Sequence, residues 1–159
     1  MEFYTIGVYN STEQQFFNKL VENRIDTFCD IRQRRAVRGS KYAFVNSNRL
    51  QNSLAELDIK YGHVLQLAPP KEIRELQKVA DLQKGEQKRE RQELGGVFKS
   101  EYKNRILENF DFDTFVENLE NVGANRVVLF CVEERPEACH RSIVSNKLQE
   151  QYNYKVTHI

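Results

Sequence analysis

Apolar positions along this chain switch between a strand period and a helix period. Residues 3–8, Phe-Tyr-Thr-Ile-Gly-Val, read as a first strand. Ser11 or Thr12 can cap the helix that follows, and Phe16, Phe17, Leu20 and Val21 give it an apolar stripe at helical spacing. Residues 25–31 read as a second strand with Phe28, Cys29 and Ile31 apolar, and a polar stretch then runs over residues 32–47. Leu50, Leu54 and Leu57 mark a second helix, and residues 59–67 a third strand that Pro69-Pro70 stops. Residues 71–110 are charged and mostly helical, with a break at Gly95-Gly96. Residues 111–122 predict a helix that turns Phe112, Phe115, Val116 and Leu119 inward. The continuous apolar run over 127–132 is the pattern of a central strand buried on both faces. Pro136 opens a last helix from about 138 to 151, and residues 154–159 close the chain as a strand.

Alternating strands and helices predict an α/β fold of the doubly wound, Rossmann-like kind. That means one domain over residues 1–159, a mostly parallel sheet with helices on both faces, and a charged helical insertion around 71–110. Residues 82–96 are the part most suited to act as an insertion or mobile lid.

Composition changes this picture little. Of 159 residues, 40% are hydrophobic and 30% charged, and the net charge is only +1, so no global field draws the chain to nucleic acid or membrane. The first residues enter a strand without a signal peptide, and no apolar run approaches the ~20 residues needed to span a bilayer. The cysteines are three, Cys29, Cys131 and Cys139, without CxxC spacing. They indicate neither a disulfide framework nor a zinc knuckle, and single out no metal site. Cys29 and Cys131 read as inert core thiols. A soluble, cytoplasmic protein is expected. Walker and Gly-x-Gly-x-x-Gly loops are both absent, so the sequence names no cofactor, and it fixes no oligomeric state.

In parallel α/β sheets, ligands bind beyond the carboxyl ends of the strands. The residues there are Gly7, Tyr9 and Asn10, then Asp30 and Arg32, then Gln66, then Glu133 and Glu134, and then Cys139-His140-Arg141 at a helix start. The clearest signal is the stretch with Arg32, Arg34, Arg35, Arg38, Lys41 and Arg49 and no Asp or Glu from 31 to 55. Arginine forks grip phosphate or carboxylate oxygens, and the interleaved Tyr42 and Phe44 suit base stacking. The bland alternative pairs these arginines with the acids of residues 72–93. A helix N-terminus at Cys139 attracts anions and lowers a thiol pKa. Yet residues adjacent on a helix point about 100° apart, which makes Cys139 with His140 a poor catalytic pair and turns Arg141 toward solvent or ligand. Asp30 and Glu133, at the ends of what should be neighbouring strands, could act as acid and base. They could also grip a divalent metal as two ligands, or hold arginines, as Asp30 would with Arg141. His63 and His158 read as local hydrogen-bonders. The charged run over 71–93 reads as a solvated face.

Thr5-Ile6-Gly7, Asp30-Ile31-Arg32, Cys131-Val132-Glu133, Cys139-His140-Arg141-Ser142 and the terminal His158-Ile159 together resemble the bacterial and archaeal family called domain of unknown function 488 (DUF488), over nearly the whole chain. The stretch from Arg32 to Gly39 and Leu67-Ala68-Pro69-Pro70 place it with an arginine-rich branch. It lacks the proline after the aspartate–arginine pair and the Leu-Gly-Gly of the broader pattern. The resemblance implies no activity.

The residues themselves suggest an enzyme, a hydrolase or group transferase, acting on a phosphate-bearing small molecule or nucleic acid. Asn10, Arg32, Arg38, Tyr42, Cys139 and Arg141 would bind it, Asp30 or Glu133 would serve as general base, and His140 as acid. The rival readings are a non-catalytic module for nucleic acid or an anionic ligand, and a thiol enzyme using Cys139. A carboxylate left free of cations beside the anion site would favour the enzyme.

Overall fold

The computed structural model describes residues 1–159 and assembles the apolar runs into one all-parallel, five-stranded sheet. Its strands are β1 (Glu2–Ile6), β2 (Thr27–Asp30), β3 (Lys60–His63), β4 (Arg126–Phe130) and β5 (Val156–His158), in spatial order β3-β2-β4-β1-β5. The helices are α1 (Glu13–Glu22), α2 (Ser47–Glu56), α3 (Lys71–Lys84), α4 (Gly96–Arg105), α5 (Phe112–Asn121) and α6 (His140–Tyr152). No helix is long and apolar enough to cross a membrane.

β4 holds the central place because Val127, Val128, Leu129 and Phe130 are apolar on both faces and fully buried. Its alternate residues meet different layers. Phe130 and its neighbour Phe28 take Phe16 of α1 at ring distances of 5.5 and 6.4 Å. On the opposite face, α6 lies against β1, β4 and β5 and buries Val144 and Leu148. Helices therefore cover both faces, as the alternation requires. Thr12 starts α1 with a full capping box to Gln15.

Three local expectations give way to tertiary constraints. β3 ends at His63 rather than near residue 67: β2 stops at Asp30, whose carbonyl takes the Val64 N–H, and no partner remains beyond it. The polar stretch is not wholly a rim, because Tyr42, Phe44 and Val45 sink into the core and Phe44 packs on Phe16 at 5.7 Å. The last helix starts two residues late. Pro136–Ala138 is a separate 3-10 turn, and Cys139 is an extended N-cap at φ −137°, ψ 147°.

The order of strands creates the crevice. The β1 and β2 connections run toward the β3 edge, with α1 on one face. The β3 and β4 connections run toward the β5 edge, with α6 on the other. Adjacent β2 and β4 thus send their chains in opposite directions, which is the switch point where such sheets leave room for a ligand.

Candidate functional site at the β2–β4 crevice

Close backbone approach shapes the floor of the crevice. A Cβ on Gly7 would lie 2.0 Å from the Glu133 carbonyl oxygen and 3.2 Å from an Arg141 terminal nitrogen, so the chain after β1 admits only glycine there. Arg141 is 1% exposed, and its guanidinium donates to the carbonyls of Glu133 and Glu134, the latter at 2.7 Å. Those carbonyls lie past the end of β4. The expectation that Arg141 faces solvent or pairs with Asp30 is therefore corrected: it braces the turn after β4, with its Nε buried and without a hydrogen-bond partner.

Next to it lies a buried cluster of thiols and imidazole. The donor atoms of Cys131, Cys139 and His140 lie within 4.8 Å of one another, and all three residues are buried. Cys139 Sγ is 3.7 Å from His140 Nδ1. The geometric objection to that pair fails because Cys139 is extended rather than helical, so the 100° step does not apply. The other ring nitrogen, Nε2, lies 3.0 Å from the Ile31 carbonyl and must donate to it, because a carbonyl can only accept. The ring packs edge-on to Tyr102 at 5.5 Å. Burial acts to lower the His140 pKa, but Cys131, Glu133 and the Ile31 carbonyl outweigh it and hold it above its ordinary value. Cys131, expected to be inert, donates to Glu133 Oε2 at 3.1 Å. Hydrogen bonding to Cys139 and burial push its thiol pKa well up. Cys29 fits the inert reading, with burial raising its pKa to about 12.

Neither carboxylate is free. Asp30 is 0% exposed and takes a two-pronged grip from Arg32, Nε at 2.8 Å and Nη2 at 2.7 Å, with Tyr61 Oη donating at 3.0 Å. Arg32 also donates to the Val45 carbonyl and lies 4.5 Å over the Phe130 ring. Its Nε and Nη2 are taken by the protein, while Nη1 is buried without a hydrogen-bond partner. Glu133 lies 3.3 Å from Lys88 Nζ and 3.9 Å from an Arg91 nitrogen. Burial would raise its pKa, but the Lys88 charge and the bonds from Cys139 and Cys131 bring it down to about 2. A carboxylate held so acidic is a poor base near neutrality.

The segment over 85–95 straps the crevice. Buried Arg91 pairs with Asp81 at 2.5 Å and reaches the Ala138 carbonyl, while Leu94 N–H donates to the Glu137 carbonyl. Asp81 and Gln77 of α3 are buried and bonded to each other, so this face of the charged helix is not solvated as expected.

Around the strap and the arginine-rich loop stands a rim of unpaired cations. Arg34, Arg38, Lys41 and Arg89 are exposed and Arg35 half-buried, and none makes an ion pair. Pairing with the acids of 72–93 is thereby overturned for Arg34, Arg35, Arg38 and Lys41. Arg89 lies over both Tyr9 and Tyr42, at 5.4 and 5.7 Å, and so joins the strap to the loop. Tyr42 itself is 2% exposed, with Tyr9 against it and Lys41 over its ring. It cannot stack a base from there, so Tyr9, half-buried beside it, is the available ring. Asn10 stands at the crevice mouth, its amide N–H on Tyr42 Oη at 2.9 Å and its side chain on Glu134. His63 bonds the Arg32 carbonyl and His158 the Thr5 hydroxyl, both local as expected.

Sequence reasoning missed Gly7, Tyr61, Cys131, Lys88, Arg89 and Arg91 in these roles. The charge run over 71–93 held one usable signal, since Asp81 falls at helical spacing from the buried Ile73 and Gln77 of α3.

An all-parallel α/β domain with a switch-point crevice, a buried thiol–imidazole floor and a cationic rim is the class these features define. The chain belongs to the family described as domain of unknown function DUF488, whose model matches residues 12–148. No curated protein and no solved structure matches it.

Proposed function

We propose that this chain binds a phosphate-bearing ligand, a nucleotide or nucleic acid, at the β2–β4 crevice. The observation that carries this reading is the set of five cations on the arginine-rich loop and the strap, Arg34, Arg35, Arg38, Lys41 and Arg89, without a carboxylate partner. Arginine forks suit phosphate oxygens, and the Tyr9 ring under Arg89 offers a face for a base. Among the rival readings, a binding module gains over a carboxylate-based hydrolase or transferase, because Asp30 and Glu133 are both held by cations.

A thermal-shift series against nucleotides, sugar phosphates and short DNA and RNA oligomers tests it, with wild type beside Arg35→Ala/Arg38→Ala. A ligand that binds only the native state at a hundred times its Kd adds about 2.7 kcal/mol, or roughly 5–10 °C for a chain of this size. The double variant should lose most of that shift. A shift with oligomers alone, fading steeply with salt, identifies nucleic acid. A shift with mononucleotides identifies a small ligand. No shift with any of them overturns the reading.

A second reading, a thiol-dependent enzyme, draws on the Cys139 Sγ to His140 Nδ1 approach of 3.7 Å beneath this rim. Alkylation of Cys139 in the folded protein near neutral pH supports it. A Cys139 that reacts only after unfolding ends it.

A further inference from the structure

The cluster under the crevice has the composition and spacing of a metal site. Three donor groups of types that bind borderline-soft cations, two thiols and an imidazole, converge to within 4.8 Å in the buried floor. In a tetrahedral zinc site, with sulfur at ~2.3 Å and nitrogen at ~2.0 Å from the ion, neighbouring donors stand about 3.5 Å apart. The Cys139 Sγ to His140 Nδ1 distance of 3.7 Å already meets that spacing.

The imidazole is prepared for the role. The Ile31 carbonyl 3.0 Å from Nε2 fixes the proton on that nitrogen and leaves the Nδ1 lone pair facing the thiols. A metal-bound histidine is usually oriented by such a bond from its other ring nitrogen. Tyr102 holds the ring from the side, and Tyr102 is itself anchored by donation to the Leu67 carbonyl at 2.6 Å. Glu133 orients one of the thiols, because its Oε2 accepts from Cys131 Sγ at 3.1 Å while Oε1 faces Lys88. Cys29 supplies the contrast. It is equally buried, yet it makes no hydrogen bond to a polar side chain and faces no second ligand.

We propose that Cys131 Sγ, Cys139 Sγ and His140 Nδ1 bind a divalent cation of the zinc class as three of its four tetrahedral donors. Binding replaces the two thiol protons, which leave to solvent, by two metal–sulfur bonds, with no change of oxidation state. Sulfur donors select zinc-like ions over magnesium or calcium, which take oxygen. Two thiolates balance the charge of a divalent ion, and the neighbouring Glu133 has its own cations in Lys88 and Arg91. Spacing along the chain hid the site. Cys131 and Cys139 lie at opposite ends of the turn between β4 and α6, which Arg141 folds back on itself.

The site stands apart from the anion-binding reading, and its test uses no anionic ligand. The full chain is purified under reductant, stripped with a chelator, desalted and given one equivalent of Co2+. The expected spectrum has an intense near-ultraviolet thiolate-to-cobalt band and the visible bands of a tetrahedral ion, both abolished by Zn2+. Elemental analysis after Zn2+ loading and desalting should give one zinc per chain. Cys29→Ser should keep the zinc and the spectrum. Cys131→Ser should lose the zinc, and His140→Asn should shift or abolish the visible bands. If the variants do not fold by circular dichroism, the wild-type spectrum decides alone. A wild-type chain that retains no zinc, gives only the weak bands of a six-coordinate ion, or yields a single free thiol when denatured without reductant overturns the proposal. The last result would mean that Cys131 and Cys139 are joined as a disulfide.

Discussion

Two sets of charges share the carboxyl edge of this sheet, and they differ in everything but chemistry. Arg32, Arg91 and Arg141 are buried, and each is committed to a carboxylate or to carbonyls of the protein. Arg34, Arg35, Arg38 and Arg89 stand a few residues away with no acidic partner. The inner set is mostly matched, as a guanidinium taken out of water must be, with only Arg32 Nη1 and Arg141 Nε left without a partner. The outer set keeps its hydrogen-bonding capacity for something else. Residue type therefore says little about which arginines are available to a ligand. The deciding quantity is how many of their donors the fold has already used.

The largest expected effect tests the inner set. Arg32→Met leaves Asp30, with 0% exposure, as a buried charge with only Tyr61 and one backbone N–H to hold it. Removing one partner of a buried ion pair costs roughly 3–5 kcal/mol. Urea unfolding should show that loss, and Asp30→Asn/Arg32→Met should recover much of it, since no charge is then stranded. A single variant as stable as wild type would place Arg32 with the rim instead.

Gly7→Ala comes next. Its Cβ would overlap the Glu133 carbonyl at 2.0 Å, and backbone has to move to relieve it. Overpacking of this kind costs about 3 kcal/mol, which for a chain of this size lowers Tm by roughly 6–12 °C. Gly96→Ala, where an added Cβ meets nothing within 4 Å, is the matched control and should leave Tm unchanged or slightly raised. Equal effects at the two positions would remove the close approach as the cause.

The fold was legible because its signals are local. A continuous apolar run marked β4, and helical spacing of Phe16 and Leu20, or of Leu50 and Leu54, marked buried helix faces. The location of the candidate site followed from topology alone, since parallel strands expose their carboxyl ends together. Partnership did not follow. Whether Asp30 meets Arg32 or Arg141, or whether Lys88 reaches Glu133, depends on how segments distant in sequence are laid side by side. The Cys139–His140 pair was judged on helical geometry, and a two-residue shift in the start of α6 reversed the judgement. Cys131 read as core because it lies inside an apolar run, and the next turn of chain makes it polar in its contacts.

For the rim, the comparison predicts near-neutral stability. Arg34→Ala and Arg38→Ala should each change unfolding free energy by no more than about 0.5 kcal/mol, as surface substitutions without partners do. Differential scanning calorimetry checks this beside the ligand series. A loss above 1 kcal/mol at either position, by the same yardstick, would mean that the rim is holding the fold and is not held in reserve.

The smallest expected effect is local and concerns the strap over 85–95. Burial acts to raise the Asp81 pKa, but the hydrogen bonds from Arg91 and Gln77 outweigh it, so the carboxyl stays below its ordinary value. In the unfolded or opened segment it returns to about 3.9. The sign follows from proton linkage: a depressed carboxyl stabilises fully above its unfolded pKa, and that contribution fades as pH falls through the lower folded value. The Asp81–Arg91 pair should therefore hold the strap without change above about pH 5 and release it progressively below about pH 4. The readout is the amide protection factor of Leu94, whose N–H donates to the Glu137 carbonyl across the strap, measured against amides of β4. Leu94 protection should fall in acid before β4 protection does, and Asp81→Asn should flatten its pH dependence. If Leu94 and β4 lose protection together, the strap opens only with the whole fold, and the inner charges form one cooperative unit without a separable cover.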